Sequence, residues 1–243
     1  MKYELDVHTH TVASGHAYGT ITEMARAAAE KGLKILGITE HSHAMPGTCD
    51  DIYFQNLRVV PREMFGVKLM LGAELNIMNY EGEVDLPQWL IDRLDFCIAS
   101  VHLNLYESGT VEQNTQAIVN AMKNPGINII GHPDDGNCPV DYDRLVRASK
   151  EYHTLLEVNN NSPRLPYRIH AKENIITMLK LCKKYDVPVV LNSDAHFMND
   201  VANTDHSMPL VEEAGFPKEL ILNYSAKKFE EYIACKVKVR RDG

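Results

Sequence analysis

The sequence is poor in the features that most often announce a protein's chemistry. Its five cysteines, Cys49, Cys97, Cys138, Cys182 and Cys235, are scattered and odd in number, with no CxxC pair. That argues against a disulfide framework and against a thiolate zinc site, and points to a reduced, cytoplasmic setting. No apolar run approaches the roughly 18 residues of a membrane helix, and MKYELDVHTH has no signal-peptide core, so no membrane partner is expected. There is no GxGxxG after the first strand-like segment and no GxxxxGK[ST] anywhere, which removes the common nucleotide fingerprints. Basic residues are in deficit: 25 Lys and Arg against 33 Asp and Glu give a net charge of −8. Nucleic acid is therefore not the expected partner, since a phosphate backbone recruits basic surfaces. A small phosphorylated metabolite remains compatible, because bound cations can supply positive charge locally.

What is present is a 44% apolar composition, ordinary for a full-sized core, and a regular alternation of short β-branched runs with amphipathic stretches. Strands are read at Tyr3–Val7, Ile35–Thr39, 68–75, Phe96–Val101, Ile127–Gly131, Leu155–Val158 and in VPVVLNS. Helices are read from Thr22 as N-cap to Gly32, from Pro87 to Arg93, and over Thr110–Lys123, Asp143–Tyr152 and Lys172–Tyr185. Helices near Ser207–Ala214 and Ala226–Ala234 flank a short apolar ILNY. Strand and helix alternate seven times without a Gly/Ser-rich linker. This predicts a parallel α/β fold in one domain over residues 1–243, a closed or nearly closed barrel, with an open doubly wound sheet as the alternative.

The eleven histidines are distributed against that frame in a telling way. His8 and His10 end the first strand, and His16 lies in the loop after it. His41 follows the second strand, Glu74 ends the third, His102 follows the fourth, His132 the fifth, and Asp194 and His196 the seventh. All sit at C-terminal strand ends, which in a parallel barrel meet on one face. Nine metal-capable side chains then converge. A catalytic zinc takes about three protein ligands, so nine are too many for one ion, plentiful for two and suited to three. Imidazole with a few carboxylates suits zinc, with manganese or iron also compatible.

The motifs DVHTHTVASGH, ITEH, GAE, SVH, GHP and NSDAH resemble, in order, those of the PHP (polymerase and histidinol phosphatase) family, and TVASGHAYGT is similar to its stand-alone trinuclear phosphatases. The resemblance implies a distorted (β/α)7, TIM-like barrel and three divalent ions, usually zinc. It places His8, His10, Glu74 and Asp194 on one ion. Glu74 bridges to a second ion with His102 and His132, and His16, His41 and His196 hold the third. One departure is Glu40, where the family often has Asp, which leaves its role of supporting the ligands open. Asp6 is expected to orient a ligand histidine from behind.

Such a cluster implies a metal-dependent phosphoesterase, in which a metal-activated hydroxide attacks a small phosphomonoester. Glu74 is the central carboxylate, and Asp194 and His196 are the candidates for proton transfer. Ser14 and Ser42 are expected at the site mouth. Asn159, Asn160, Arg164 and Arg168 follow the sixth strand. They either face substrate, arginine suiting bidentate phosphate recognition, or belong to a solvated loop whose asparagines cap backbone groups. The competing activities are histidinol-phosphate hydrolysis, a nuclease or phosphodiesterase, and a non-catalytic metal-binding module.

Overall fold

The structure, a computed structural model, describes residues 2–242, with side chains through Lys236. Eight strands form one sheet: β1 (Leu5–Asp6), β2 (Ile35–His41), β3 (Glu63–Met64), β4 (Val67–Asn76), β5 (Cys97–Ser100), β6 (Ile127–Gly131), β7 (Leu155–Asn159) and β8 (Val189–Asn192). The order β1-β2-β4-β5-β6-β7-β8 is parallel throughout, and β3 is a short antiparallel partner of β4. The helices are α1 (Ile21–Lys31), α2 (Asp51–Asn56), α3 (Gln88–Ile91), α4 (Val111–Met122), α5 (Tyr142–Glu151), α6 (Ala171–Tyr185), α7 (Met208–Glu213) and α8 (Ala226–Asp242). The fold is the expected distorted, nearly closed barrel with helices outside, not an open sheet. Among the described residues no helix is long and apolar enough to cross a membrane.

Side chains two apart along a strand share a face, and this parity divides the core in two. Leu36, Leu69, Leu71, Ala99, Ile130, Val158 and Leu191 point outward under the helices. Ile35, Met70, Ile98, Ile129, Leu155 and Val190 point inward and fill the lower barrel, closed beneath by Leu222, Phe229 and Ile233. Continuing each inward row by two to six residues reaches Glu74, Asn76, Ser100, Glu157, Asn159 and Asn192, all fully buried. The barrel interior is thus apolar at the bottom and polar at the top.

Closure between β8 and β1 is made largely by side chains. Val7 N donates to Asn192 Oδ1 (3.1 Å), and a single bridge joins Thr9 to Ala195. Below, Asn223 Oδ1 accepts from Leu191 N (2.7 Å) while its amide donates to Leu5 O (3.1 Å). Asp6 accepts from Ser193 N (3.2 Å), Ser193 Oγ and Ala202 N (2.7 Å).

Several boundaries shift for local reasons. α1 is capped by Thr20, not Thr22, because Thr20 and Glu23 form a reciprocal capping box. α5 begins at Tyr142, one residue before the expected Asp143, with Asp141 as its cap. The first strand stops at Asp6, one residue short of the expected Val7.

Phe96 packs inside the barrel against two glycines. A Cβ at Gly72 would lie 2.5 Å from Phe96 O, and one at Gly37 2.7 Å from the Val7 backbone. Gly72→Ala should therefore lower stability by about 2 kcal/mol, read as a lower denaturant midpoint with unchanged slope.

Candidate metal centre

The polar upper storey of the barrel gathers all nine predicted ligands. His8 and His10 are fully buried on its floor. His16, His41, Glu74, His102, His132, Asp194 and His196 line a cavity of about 380 Å³ above them. Neighbouring rings stand 4.3 Å apart for His10 and His41, 4.4 Å for His10 and His196, and 4.9 Å for both His16–His41 and His16–His196. Glu74 lies at the centre. Its Oε2 is 2.7 Å from His41 Nδ1 and 3.4 Å from His8 Nε2, and its Oε1 is 3.0 Å from His132 Nε2 and 3.5 Å from His102 Nε2.

The geometry groups the donors as His8–His10–Asp194, His41–Glu74–His102 and His10–His41–His196. All seven residues in these sets are among the nine expected ligands. His132 and Asp194 both hold left-handed backbone (φ 30° and 53°). Such conformations cost of order 1 kcal/mol each for non-glycine residues and persist where the surroundings enforce them.

Hydrogen bonds behind the rings decide where their lone pairs point. His8 Nδ1 donates to Glu157 Oε1 (2.7 Å), and His102 Nδ1 to Asn76 Oδ1 (2.7 Å). His196 Nδ1 donates to Asp194 O (3.0 Å). Ser14 Oγ spends its only proton on Glu40 Oε2 (2.5 Å) and accepts from His41 N (3.2 Å), so its contact with His10 Nδ1 (3.0 Å) must be a bond donated by the ring. Each of these four rings is left with Nε2 as the free donor atom.

The donor set fits divalent cations. His8 Nε2 and His10 Nε2 face each other at 3.1 Å, and His41 Nδ1 and Glu74 Oε2, buried and 2.7 Å apart, are not aligned as a hydrogen bond and have no other hydrogen-bonded partner. Buried polar atoms rarely stay orphaned, and a shared cation satisfies both. The electrostatics agree. Burial alone would lower the His8 pKa, but the Glu157, Glu74 and Asp194 carboxylates hold it well above the usual range. Burial would raise Glu74 and Asp194, but the surrounding histidines hold both well below the usual carboxylate range. Burial lowers His10 and His16 and takes His102 down to about 4, keeping them neutral, the state in which imidazole binds a metal.

Other expected positions are corrected. Asp6 bonds to Ser193 and Ala202 and ties β1 to the loop after β8; Glu157, which the strand-end pattern passes over, is the carboxylate behind a histidine. Glu40 grips Thr11 and Ser14 and so reaches His10 through Ser14. Ser14 and Ser42 are fully buried, not at the mouth; Ser42 donates to Asp85. Asn159 is buried with its hydrogen bonds committed: its amide donates to Glu157 and Asp194, and its carbonyl accepts from Asn161 N and Ser162 N. Asn160 is buried and accepts from His206 N and Ser207 N. Arg164 and Arg168 do line the cavity, with Asn161 and Tyr167 beside them.

The signal for Glu157 was the parity of LLEVN, where Glu157 shares the inward face with Leu155. Asn76 and Ser100, which donates to Glu74 Oε1 (2.7 Å), follow the same rule.

Residues 6–240 match the PHP domain. A probable phosphatase of Caldicellulosiruptor saccharolyticus is 46% identical over 233 residues, which cover 96% of this chain and 97% of that protein. A probable phosphatase of Clostridium novyi is 44% identical over 240 residues, covering 99% and 98%. The crystal structure of histidinol phosphate phosphatase from Lactococcus lactis, complexed with zinc, L-histidinol and phosphate, is similar with a TM-score of 0.63 at 21% identity, over 89% of this chain and 95% of that one. At that identity the likeness concerns the fold. Profile, relatives and site geometry agree, and the chain belongs to the PHP domain family.

Proposed function

We propose that the protein is a metal-dependent phosphatase that hydrolyses small phosphomonoesters at a site holding three divalent cations, with zinc the preferred metal. The observation that carries this reading is the convergence of nine competent ligands on one open cavity with two arginines in its wall. A closed structural site would leave no such space. When bound, the cations supply Lewis acidity: they neutralise phosphoryl oxygens and bring the pKa of water towards neutrality.

The chain's own residues do the rest. Arg164 and Arg168 face the cavity and offer forked donors to phosphoryl oxygens. Asn159 Nδ2 holds Asp194 Oδ2 (3.2 Å) and Ser100 holds Glu74, so both carboxylates are fixed before substrate arrives. Asp194 and His196 are the two candidates for proton transfer, and the His196 ring is the more exposed of them.

Turnover of p-nitrophenyl phosphate should exceed that of the bis ester, and a panel including histidinol phosphate, sugar phosphates and nucleotides ranks substrates. Glu74→Gln should lose both metal and turnover; full turnover with a full metal complement removes Glu74 from the reaction. Glu157→Gln keeps an acceptor for His8 but loses its charge. It should weaken metal retention roughly 10–100-fold against a chelator while far-UV circular dichroism is unchanged.

Metal uptake should also release a proton. The raised His8 pKa keeps that ring protonated in metal-free protein above the usual imidazole value, whereas His10, His16 and His102 are already neutral and Glu74 and Asp194 already ionised. Calorimetric zinc titrations just above the usual imidazole pKa, in buffers of different ionisation enthalpy, should show proton release, and less of it in His8→Gln.

A further inference from the structure

The loop after β7 presents an aromatic side chain to the cavity with nothing packed against its ring. SPRLPYR turns tightly over Leu165–Arg168: Arg168 N donates to Leu165 O (3.1 Å), and Pro166 stands second in the turn, where its fixed φ favours the bend. Tyr167 is the third residue, at the tip. Its carbonyl accepts from Asn137 Nδ2 (2.7 Å), and Asn137 is itself held by Asp135 Oδ1, which accepts from its backbone N (3.0 Å) and its amide (2.8 Å). Beside that latch, Gly136 N donates to Ile169 O (2.8 Å), and a Cβ at Gly136 would lie 2.7 Å from the same oxygen, so the two loops touch. The backbone of the tip is thus fixed, yet Tyr167 is 65% exposed while lining the cavity. Among the described residues its ring stacks on no other ring or cation, and its hydroxyl has no hydrogen-bonded partner.

The cavity lining sorts by depth and by polarity. His41, Glu74, His132 and Asp194 are buried at its base, whereas the exposed Tyr167 stands at its mouth. Met45 and Leu165, both half-buried, are the other apolar side chains of the lining. A phosphomonoester has one doubly charged end and one leaving group. The charged end gains from the ligand cluster and the guanidinium groups and nothing from an apolar wall. The apolar side chains at the mouth are left for the leaving group, in the manner of pockets that pair a few polar anchors with an apolar wall. A tyrosine ring favours a flat, offset-stacked partner, and with two side-chain torsions it loses little entropy on binding one. Its sequence neighbour Arg168 lines the same cavity, and consecutive Cα atoms lie about 3.8 Å apart, so the ring and the phosphoryl group they meet are joined by a short link.

We infer that Tyr167 is a specificity-determining residue that stacks on the leaving group, and that the preferred substrates are phosphomonoesters carrying a flat aromatic ring on the ester oxygen or one carbon from it. Because the tip of the turn is latched before substrate arrives, the ring is a preformed platform and little ordering is left for the binding step. The inference rests on the phosphatase reading for its chemistry, but recognition of the ring can be measured without turnover.

The test uses full-length, metal-loaded protein and two non-hydrolysable probes in calorimetric binding, benzylphosphonate and methylphosphonate. The parent protein should bind benzylphosphonate about tenfold more tightly than methylphosphonate. That ratio should fall to within about twofold in Tyr167→Ala and persist in Tyr167→Phe, which keeps the ring, with metal content unchanged in both. In turnover, Tyr167→Ala should raise KM for benzyl phosphate about tenfold, and should raise it less for cyclohexylmethyl phosphate, whose ring is similar in size but puckered. A parent ratio near one, a ratio unchanged in Tyr167→Ala, or a ratio lost in Tyr167→Phe would each overturn the inference. Hydrolysis of the esters alongside any of those results leaves the phosphatase reading in place. A ratio that depends on Tyr167 in a protein that hydrolyses neither ester sinks that reading and leaves this inference standing.

Discussion

The contact between His8 and Glu157 is the constraint around which the site is arranged. It lies at 2.7 Å with both side chains buried, and it joins a residue of the first loop to the seventh strand. Glu157 does not serve His8 alone. It also accepts from Asn192 on β8 (2.8 Å), from Asn159 two residues along its own strand (3.1 Å) and from His132 N after β6 (2.8 Å). One carboxylate thus fixes the register of three strand ends and the orientation of a ligand ring. A buried carboxylate left unpaired is strongly unfavourable, so any movement of these strands that separates the partners is opposed. The same logic repeats at lower charge with Asn76 behind His102 and the Ser14–Glu40 pair behind His10. Protons face outward and lone pairs face inward.

The barrel gives up regularity at β1 to accommodate this. A regular strand would turn His8 to the face opposite Val7. Here Leu5 and Val7 pack inside the barrel, yet His8 also reaches its interior to meet Glu157. The change of parity is possible because the ladder with β2 ends at Asp6. The hydrogen bonds a longer β1 would have made to β8 are supplied by Asn192, Asp6 and Asn223. These three polar side chains are buried because each completes backbone pairing, which offsets the cost of placing them in the interior.

How much of this was legible in the sequence follows from where each signal resides. Strand-end histidines are visible because a strand and its following loop form one short motif, and ITEH or NSDAH carries both in four or five letters. The alternation of elements is visible for the same reason, and the boundaries of β6 fall where the apolar run places them. Glu157 was passed over because it lies inside a strand, where a carboxylate looks like a packing anomaly unless inward parity is tracked from Leu155. Loop polar residues near a site invite a substrate-facing reading, which for Ser14 places it at the mouth and for Asn159 and Asn160 leaves it open against capping backbone groups; the structure favours capping, with both carbonyls accepting backbone N–H groups. Burial is a tertiary property, and their bonds run to partners such as Glu40, Asp194 and Ser207, up to 47 positions away. The place behind the His8 ring expected for Asp6 is taken by Glu157, because only register says which of two strand acids lies behind the ring.

β7 shows how the barrel divides its labour. Its C-terminal end carries none of the nine expected ligands, and in a scheme built on ligands alone it would be idle. It instead acts at two levels. Inside the strand, Glu157 and Asn159 hold ligands from below. Above, the loop it feeds brings Arg164 and Arg168 to the cavity wall. In a chain of net charge −8, these guanidinium groups bring local positive charge to a cavity whose other wall is the histidine cluster. Arg168 is held there without drawing on a metal-binding carboxylate: its Nη1 donates to the buried Ser162 Oγ at 2.6 Å.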